Sequence, residues 1–226
     1  MDEEWALAAS VVFSGLWSGL LGMLTLLIHP MLKAMDGRDF ENFLRAFLKV
    51  GRKSWFNYAC AIGMPGPCIP RDAGAYAPRH NPPVYFTAVA AQCQAQDLPL
   101  PHLLADLRAD DLAPYTFVTP NLCSDEHDCQ ISDGDRWLSR WVPRIVGSPA
   151  YRDGRTVLFI TYDEDDHNEG NRVYTVVVAP SVPPGTVSGD AFTHYSLLRT
   201  QEELLGVPLL GQAATAASMR AAFSLG

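Results

Sequence analysis

The chain has 226 residues, 48% of them hydrophobic and 19% charged, with a formal net charge of −8. That length and composition fit one medium globular domain or two small ones, and exclude a wholly disordered, collagen-like or disulfide-knot chain. The acidic balance argues against nucleic acid as a partner, because phosphate backbones are held by basic surfaces. Residues 1–66 balance six acids against six bases, and only Pro30 of the 17 prolines comes before residue 65. The whole negative excess therefore lies downstream, and the chain reads as two different kinds of protein joined near residue 64.

Residues 5–28 (WALAASVVFSGLWSGLLGMLTLLI) carry no formal charge. At about 1.5 Å per helical residue they reach roughly 36 Å, enough to cross a ~30 Å hydrocarbon core. Gly15, Gly19 and Gly22 are compatible with lipid, where small residues let helices approach closely. A cleaved secretory signal fits poorly, because the leading MDEE is acidic and the apolar run is too long. A buried helix of a soluble domain is the other alternative. The pattern predicts a single-pass transmembrane helix ended by His29-Pro30. Phe40, Phe43, Leu44, Phe47 and Leu48 then recur at helical spacing, predicting an amphipathic helix over 39–50. A second apolar stretch covers 55–64. Residues 5–63 weakly resemble the first helix and a half of a family of small bacterial membrane proteins related to anthrone oxygenases, from which no catalytic residue is carried over.

Beyond residue 64 the pattern predicts a mixed α/β domain. Asn81-Pro82-Pro83 predicts a helix from about 82 to 94. A short helix is expected at 103–110 and a short strand at 115–119. Asp133 can cap a helix presenting Trp137, Leu138, Trp141, Val142 and Ile145 on one face, with Pro143 expected to kink it. Residues 155–162 and 172–179 are the clearest strands, β-branched runs suited to central, buried positions. Helices are expected at 196–205, closed by Gly206, and at 213–223. Strands alternating with helices predict a layered α/β sheet.

The run TVLFITYDEDD carries the chemistry. A buried strand delivers Asp163 and Glu164 at its C-terminal end, the end at which open α/β sheets collect ligands. Adjacent carboxylates repel unless a cation or an arginine neutralises them, so a divalent metal is the simplest reading, and a solvated acidic turn is its rival. His80 lies just before a predicted helix start, His127 lies between Cys123 and Cys129 after a strand, and His194 lies just before the 196–205 helix. Three histidines at element boundaries beside a carboxylate pair make a hydrolase-like collection, although spacing alone leaves their convergence open.

The segments MPGPC, YAPRHNPPVYF, VTPNLCSDEHDC, GDRWLSRWVP, TVLFITYDEDD, NRVYTVVVAPSV, THYSLLRTQEELLG and ATAASM follow in order the C-terminal portion of the bacterial phosphoesterase family. That family holds secreted acid phosphatases and phospholipases C within the alkaline phosphatase superfamily. The TYDEDD…NRV version looks most like its acid or phosphoinositide phosphatases. The resemblance covers about residues 64–226 and implies an incomplete alkaline-phosphatase-like layered α/β domain. It makes Asp163 and Glu164 metal ligands, places His80 and His127 against the phosphate, and gives His194 a site role. For an exported domain it favours Cys68–Cys93 and Cys123–Cys129 among the three possible pairings of four cysteines. Cys60 is then left over.

The family's upstream strand ending in a Glu-Asn motif, and the Ser or Thr nucleophile after it, are not found; the predicted membrane helix stands in their place. The expectation is a membrane-attached, truncated, metal-dependent phosphoric ester hydrolase acting on phosphomonoesters or phospholipids, its phosphoesterase portion outside the cytoplasm. The alternatives are a phospholipase C-type phosphodiesterase and a catalytically inactive membrane fusion protein.

Overall fold

The structure, a computed structural model, describes Phe56–Ala59 and residues 68–226 apart from Asp166 and Glu169. The expected membrane helix at 5–28 and amphipathic helix at 39–50 lie outside these residues. Among the described residues no helix is long and apolar enough to cross a membrane. The elements run β1 (Phe56–Ala59), α1 (Ala90–Gln96), β2 (Asp97–Pro99), α2 (Pro101–Ala109), β3 (Thr116–Thr119), α3 (Ile131–Val146), α4 (Pro149–Arg152), β4 (Leu158–Thr161), β5 (Thr175–Val178) and α5 (His194–Leu205).

The mixed α/β class matches the expectation. Strand β1 lies between β2 and β3 and pairs with both in parallel, so that Asn57 faces Asp97 on one side and Phe117 on the other. It falls inside the stretch read from sequence as a second apolar run. The expected boundary at 63/64 thus separates β1 from the rest of its own sheet. β4 and β5 form an antiparallel pair in which Leu158 faces Val178 and Thr161 faces Thr175.

All four residues of β4 are buried, and alternation along the strand assigns its neighbours to two cores. Leu158 and Ile160 join Leu103 and Leu107 of α2, Val118 of β3 and Trp137 and Ile145 of α3. Val157 and Phe159 join Val177, Leu197 of α5, Met219 and Leu225. A strand's side chains alternate between faces, so helices covering both faces produce this division. The two cores enclose β4 up to the point where its C-terminal end leads into the site.

Several local expectations are corrected. The 82–94 segment is not one helix: a 3₁₀ turn at Pro82–Tyr85, a second at Thr87–Val89 and α1 follow one another. Phe86 is extended between the two turns, which breaks helical continuity. Helix α3 starts at Ile131 and runs through Pro143 to Val146, with Asp133 in its first turn and Gln130 at the cap position. β5 is less buried than expected, with only Val177 of its four residues buried. No continuous helix forms over 213–223; a 3₁₀ turn at Gly211–Ala214 is followed by turns. Side chains from α5 explain this. Arg199 donates to the carbonyls of Ala214 and Ala216, and the Thr200 hydroxyl accepts the N–H of Met219. These are backbone groups that a helix would need for itself. α5 begins at His194 and ends on Gly206, whose φ of +64° suits a glycine cap.

Candidate active site

The carboxyl ends of β3 and β4 lead into one region. After β3 the chain enters a loop closed by the Cys123–Cys129 disulfide, with a Cα–Cα distance of 4.7 Å. The second favoured pair, Cys68–Cys93, is also formed, at 5.7 Å. Asn121 starts the loop as an Asx turn, its Oδ1 accepting the N–H groups of Cys123 at 3.3 Å and Ser124 at 2.9 Å. Inside the loop, the Asp125 side chain is completely enclosed. Its Oδ2 lies 2.9 Å from Nδ1 of His80, and its Oδ1 accepts the N–H of His127 at 3.0 Å. The His80 and His127 rings meet edge to face, with centroids 5.8 Å apart. His127 Nδ1 is 2.5 Å from Oδ1 of Asp128.

His80 sits in a 3₁₀ turn, Pro78–His80, and its carbonyl accepts the Thr119 hydroxyl from the end of β3 at 3.1 Å. The next residue, Asn81, is buried and donates to Oδ2 of Asp97 at 2.6 Å and to the Tyr76 hydroxyl at 3.1 Å. Asp97 also accepts the N–H of Cys68 at 2.9 Å, so the Cys68–Cys93 bridge is coupled to the segment carrying His80. Burial pushes the Asp97 carboxyl up from its usual range, against the two hydrogen bonds that favour its charge.

At the end of β4, Asp163 and Glu164 are adjacent, as expected. Oδ1 of Asp163 is buried and has no hydrogen-bond partner. Burial raises this carboxyl to about 7, against backbone hydrogen bonds at 163 and 164; the charges of Glu164 and Asp125 push the same way as burial. That influence from Asp125 ties the strand end electrostatically to the histidine pair. A direct tie runs beside it, since Tyr162 hydrogen-bonds Glu126. Burial raises the Glu126 carboxyl, with Asp125 and Asp135 adding to the effect. Glu126 has a left-handed backbone, φ +73°, and its side chain lies against Gly134 in the first turns of α3. A Cβ at position 134 would collide with it.

His194 sits elsewhere in this network. Its Nε2 is 2.8 Å from the carbonyl oxygen of Asp163, which can only accept, so Nε2 carries the proton and donates. His194 therefore holds the main chain beneath the carboxylate pair. Asp165 shapes the following turn, accepting the N–H groups of His167 at 2.9 Å and Asn171 at 2.6 Å. His80, His127, Asp163 and His194 are thus tied into one region, and Glu164 adjoins it through Asp163. Sequence reasoning passed over Asp125, Glu126 and Tyr162. The signal for Asp125 was an acid two residues before His127 in a cysteine-bracketed loop.

A buried carboxylate oxygen without a hydrogen bond, beside a second carboxylate, is the donor chemistry a divalent cation requires. Asp163 and Glu164 thus offer oxygen donors suited to the metal that the resemblance implies, while among the described residues no third His, Cys, Asp or Glu ligand atom groups with them.

Two strand ends that gather acids and histidines, β3 of the parallel sheet and β4 of the antiparallel pair, define an α/β enzyme-like site. The chain matches the phosphoesterase family over residues 35–208, and it belongs to that family. It is 33% identical over 145 residues to a phosphatidylinositol-3-phosphatase of Mycobacterium tuberculosis, covering 64% of this chain and 46% of that protein. An acid phosphatase of Aspergillus fumigatus is 28% identical over 143 residues, covering 61% of this chain and 32% of its own length. A phosphate-repressible acid phosphatase of Penicillium chrysogenum is 30% identical over 143 residues, covering 61% and 34%. The chain therefore spans between 32% and 46% of the length of these relatives.

Proposed function

We propose that this chain carries the metal- and phosphate-binding portion of a metal-dependent hydrolase of phosphoric esters, with phosphomonoesters or phosphoinositides as its substrate class. The observation that carries this reading is the unpartnered, buried oxygen of Asp163 beside Glu164, facing the field of Asp125 and its two histidines. Asp163 and Glu164 would hold the cation, which when bound supplies neutralising charge for phosphate oxygens. His80 and His127 are proposed to meet those oxygens, a ring protonated on one nitrogen accepting from a phosphate hydroxyl and a doubly protonated ring donating to an oxygen or to the leaving group. His194 keeps the Asp163 main chain in position. The names of the relatives support the substrate class, and the family's metal dependence supports the cation.

The chain's own turnover is expected to be small, because no upstream nucleophile motif is found and a covalent mechanism loses most of its rate without one. Residues 5–28 are proposed to attach the protein to a membrane, with the phosphoesterase portion outside the cytoplasm; the two disulfides support that compartment.

Calorimetric titration of the detergent-solubilised chain with Mg²⁺, Mn²⁺, Ca²⁺ and Zn²⁺ tests the site. Saturable binding of at least one ion, lost in Asp163→Ala, is expected; equal binding in both proteins would remove Asp163 from the site. Phosphate release from a generic phosphomonoester, at acid and neutral pH with the same metals, is expected to stay close to the buffer rate. Robust Asp163-dependent turnover would refute the missing nucleophile. Diacylglycerol release from phospholipid would favour the phospholipase C alternative.

A further inference from the structure

We propose that Asp125 is a positioning residue that sets His80 in a single tautomer, with the proton on Nδ1 and Nε2 left as the nitrogen for ligand chemistry. This deepens the phosphoester reading and rests on it only for what Nε2 meets, since the tautomer itself follows from the protein's own bonds. A carboxylate only accepts, and both oxygens of Asp125 are committed, Oδ2 to His80 Nδ1 at 2.9 Å and Oδ1 to the N–H of His127 at 3.0 Å. Nδ1 must then be the donor. The bond is shielded from competing water, because the two side chains are 0% and 5% exposed.

The His80 main chain has little freedom to choose another arrangement. Its carbonyl is held by Thr119, its own N–H donates to the Ala77 carbonyl at 3.0 Å, and the following Asn81 is anchored on Asp97. Asp125 is fixed in its turn, its N–H donating to the Asn121 carbonyl at 2.9 Å within the disulfide-closed loop. One carboxylate therefore sets the ring state of His80 and the backbone position of His127, and so fixes the edge-to-face approach of the two imidazoles. A histidine whose Nδ1–H is held by a buried carboxylate presents one defined nitrogen. In the serine-protease triad, replacing that carboxylate by an amide imposes the wrong tautomer and lowers kcat about 10⁴-fold.

The test uses the full-length chain, labelled with ¹⁵N-histidine, in detergent, at neutral pH and without metal. Long-range ¹H–¹⁵N spectra report which ring nitrogen carries the proton, and loss of signals in His80→Gln assigns them. His80 is expected to show a protonated Nδ1 and an unprotonated, pyridine-like Nε2. In Asp125→Asn the population should move several-fold toward the Nε2-protonated form, while a thermal melt shows that the variant is folded. A His80 protonated on Nε2 in the unsubstituted protein, or an unchanged spectrum in folded Asp125→Asn, overturns the proposal. Where Asp125→Asn does not fold, the spectrum of the unsubstituted protein decides alone. Titration with inorganic phosphate then separates the two ideas. Displacement of the His80 Nε2 signal supports both. With the tautomer as expected, silence at every concentration removes the phosphate reading and leaves the role of Asp125 standing.

Discussion

The loop after β3 and the C-terminal end of α5 each bury a carboxylate, and they treat it in opposite ways. In the loop, both oxygens of Asp125 organise something else, the ring of His80 and the main chain of His127. In α5, Glu202 is 1% exposed; its Oε2 accepts the N–H of Leu210 at 3.3 Å, while Oε1 has no hydrogen-bond partner. Burial raises Glu202 to about 7, with the neighbouring Glu203 adding to the effect. A buried acid surrounded by donors can stay charged and direct other groups, whereas a half-satisfied one favours its neutral form and makes stability depend on pH.

The largest effect expected from this contrast follows removal of Asp125. Asp125→Ala should destabilise the fold by about 3–5 kcal/mol, because His80 loses its partner inside the protein. Chemical denaturation measures it, and a cost under about 1 kcal/mol would mean that water replaces the carboxylate and that the loop is less enclosed than described.

Glu202→Gln should act in the other direction, with a sign set by pH. In the folded chain burial lifts this carboxyl to about 7, above the ordinary value of 4.5 that it keeps in the unfolded chain. Below pH 4.5 the group is protonated in both states and contributes nothing. Above it, folding is progressively penalised, and the penalty levels off past pH 7 at roughly 3 kcal/mol. The variant should therefore gain stability over the native chain near pH 8 and lose that advantage near pH 4. Parallel melting curves across that range would refute the assignment.

The disulfide around Asp125 sharpens the comparison further. Replacing both Cys123 and Cys129 by Ser should cost about 2 kcal/mol from loop entropy. It should also weaken the His80–Asp125 pairing, readable as tautomer averaging in the ring spectra. Loss of stability with an unchanged His80 spectrum would show that the loop holds its shape without the bridge.

The smallest effect concerns Gly134. Glycine to alanine within a helix ordinarily stabilises by up to about 1 kcal/mol. Here the new Cβ meets the Glu126 side chain, so no gain, or a loss of about 1 kcal/mol, is expected in a thermal melt. A full gain would mean that Glu126 swings away freely and that its bond to Tyr162 is dispensable.

Much of the fold was legible because its signals are local. The buried run of β4 and the acids at its end, the apolar faces of α2 and α3, and the Gly206 cap of α5 each depend on residues within a few positions of one another. β1 was not legible in this way. Its four residues gain strand character only by pairing with β2 and β3, whose sequence positions lie about 40 and 60 residues away. The C-terminal segment was misread for a related reason: its alanines favour a helix, but Arg199 and Thr200 claim its backbone groups from a distance.

The same division runs through the site. Residue types singled out Asp163, Glu164, His80, His127 and His194 as candidates, and the family resemblance gave them their expected roles. Tertiary structure decided their arrangement. It set Asp125 between two histidines, one of them 45 positions away in sequence. It also joined His194 to the Asp163 main chain by a hydrogen bond, and left one Asp163 oxygen without a hydrogen bond. Hydrogen bonding and desolvation depend on what surrounds a side chain in space, and only the packed layers supply those surroundings.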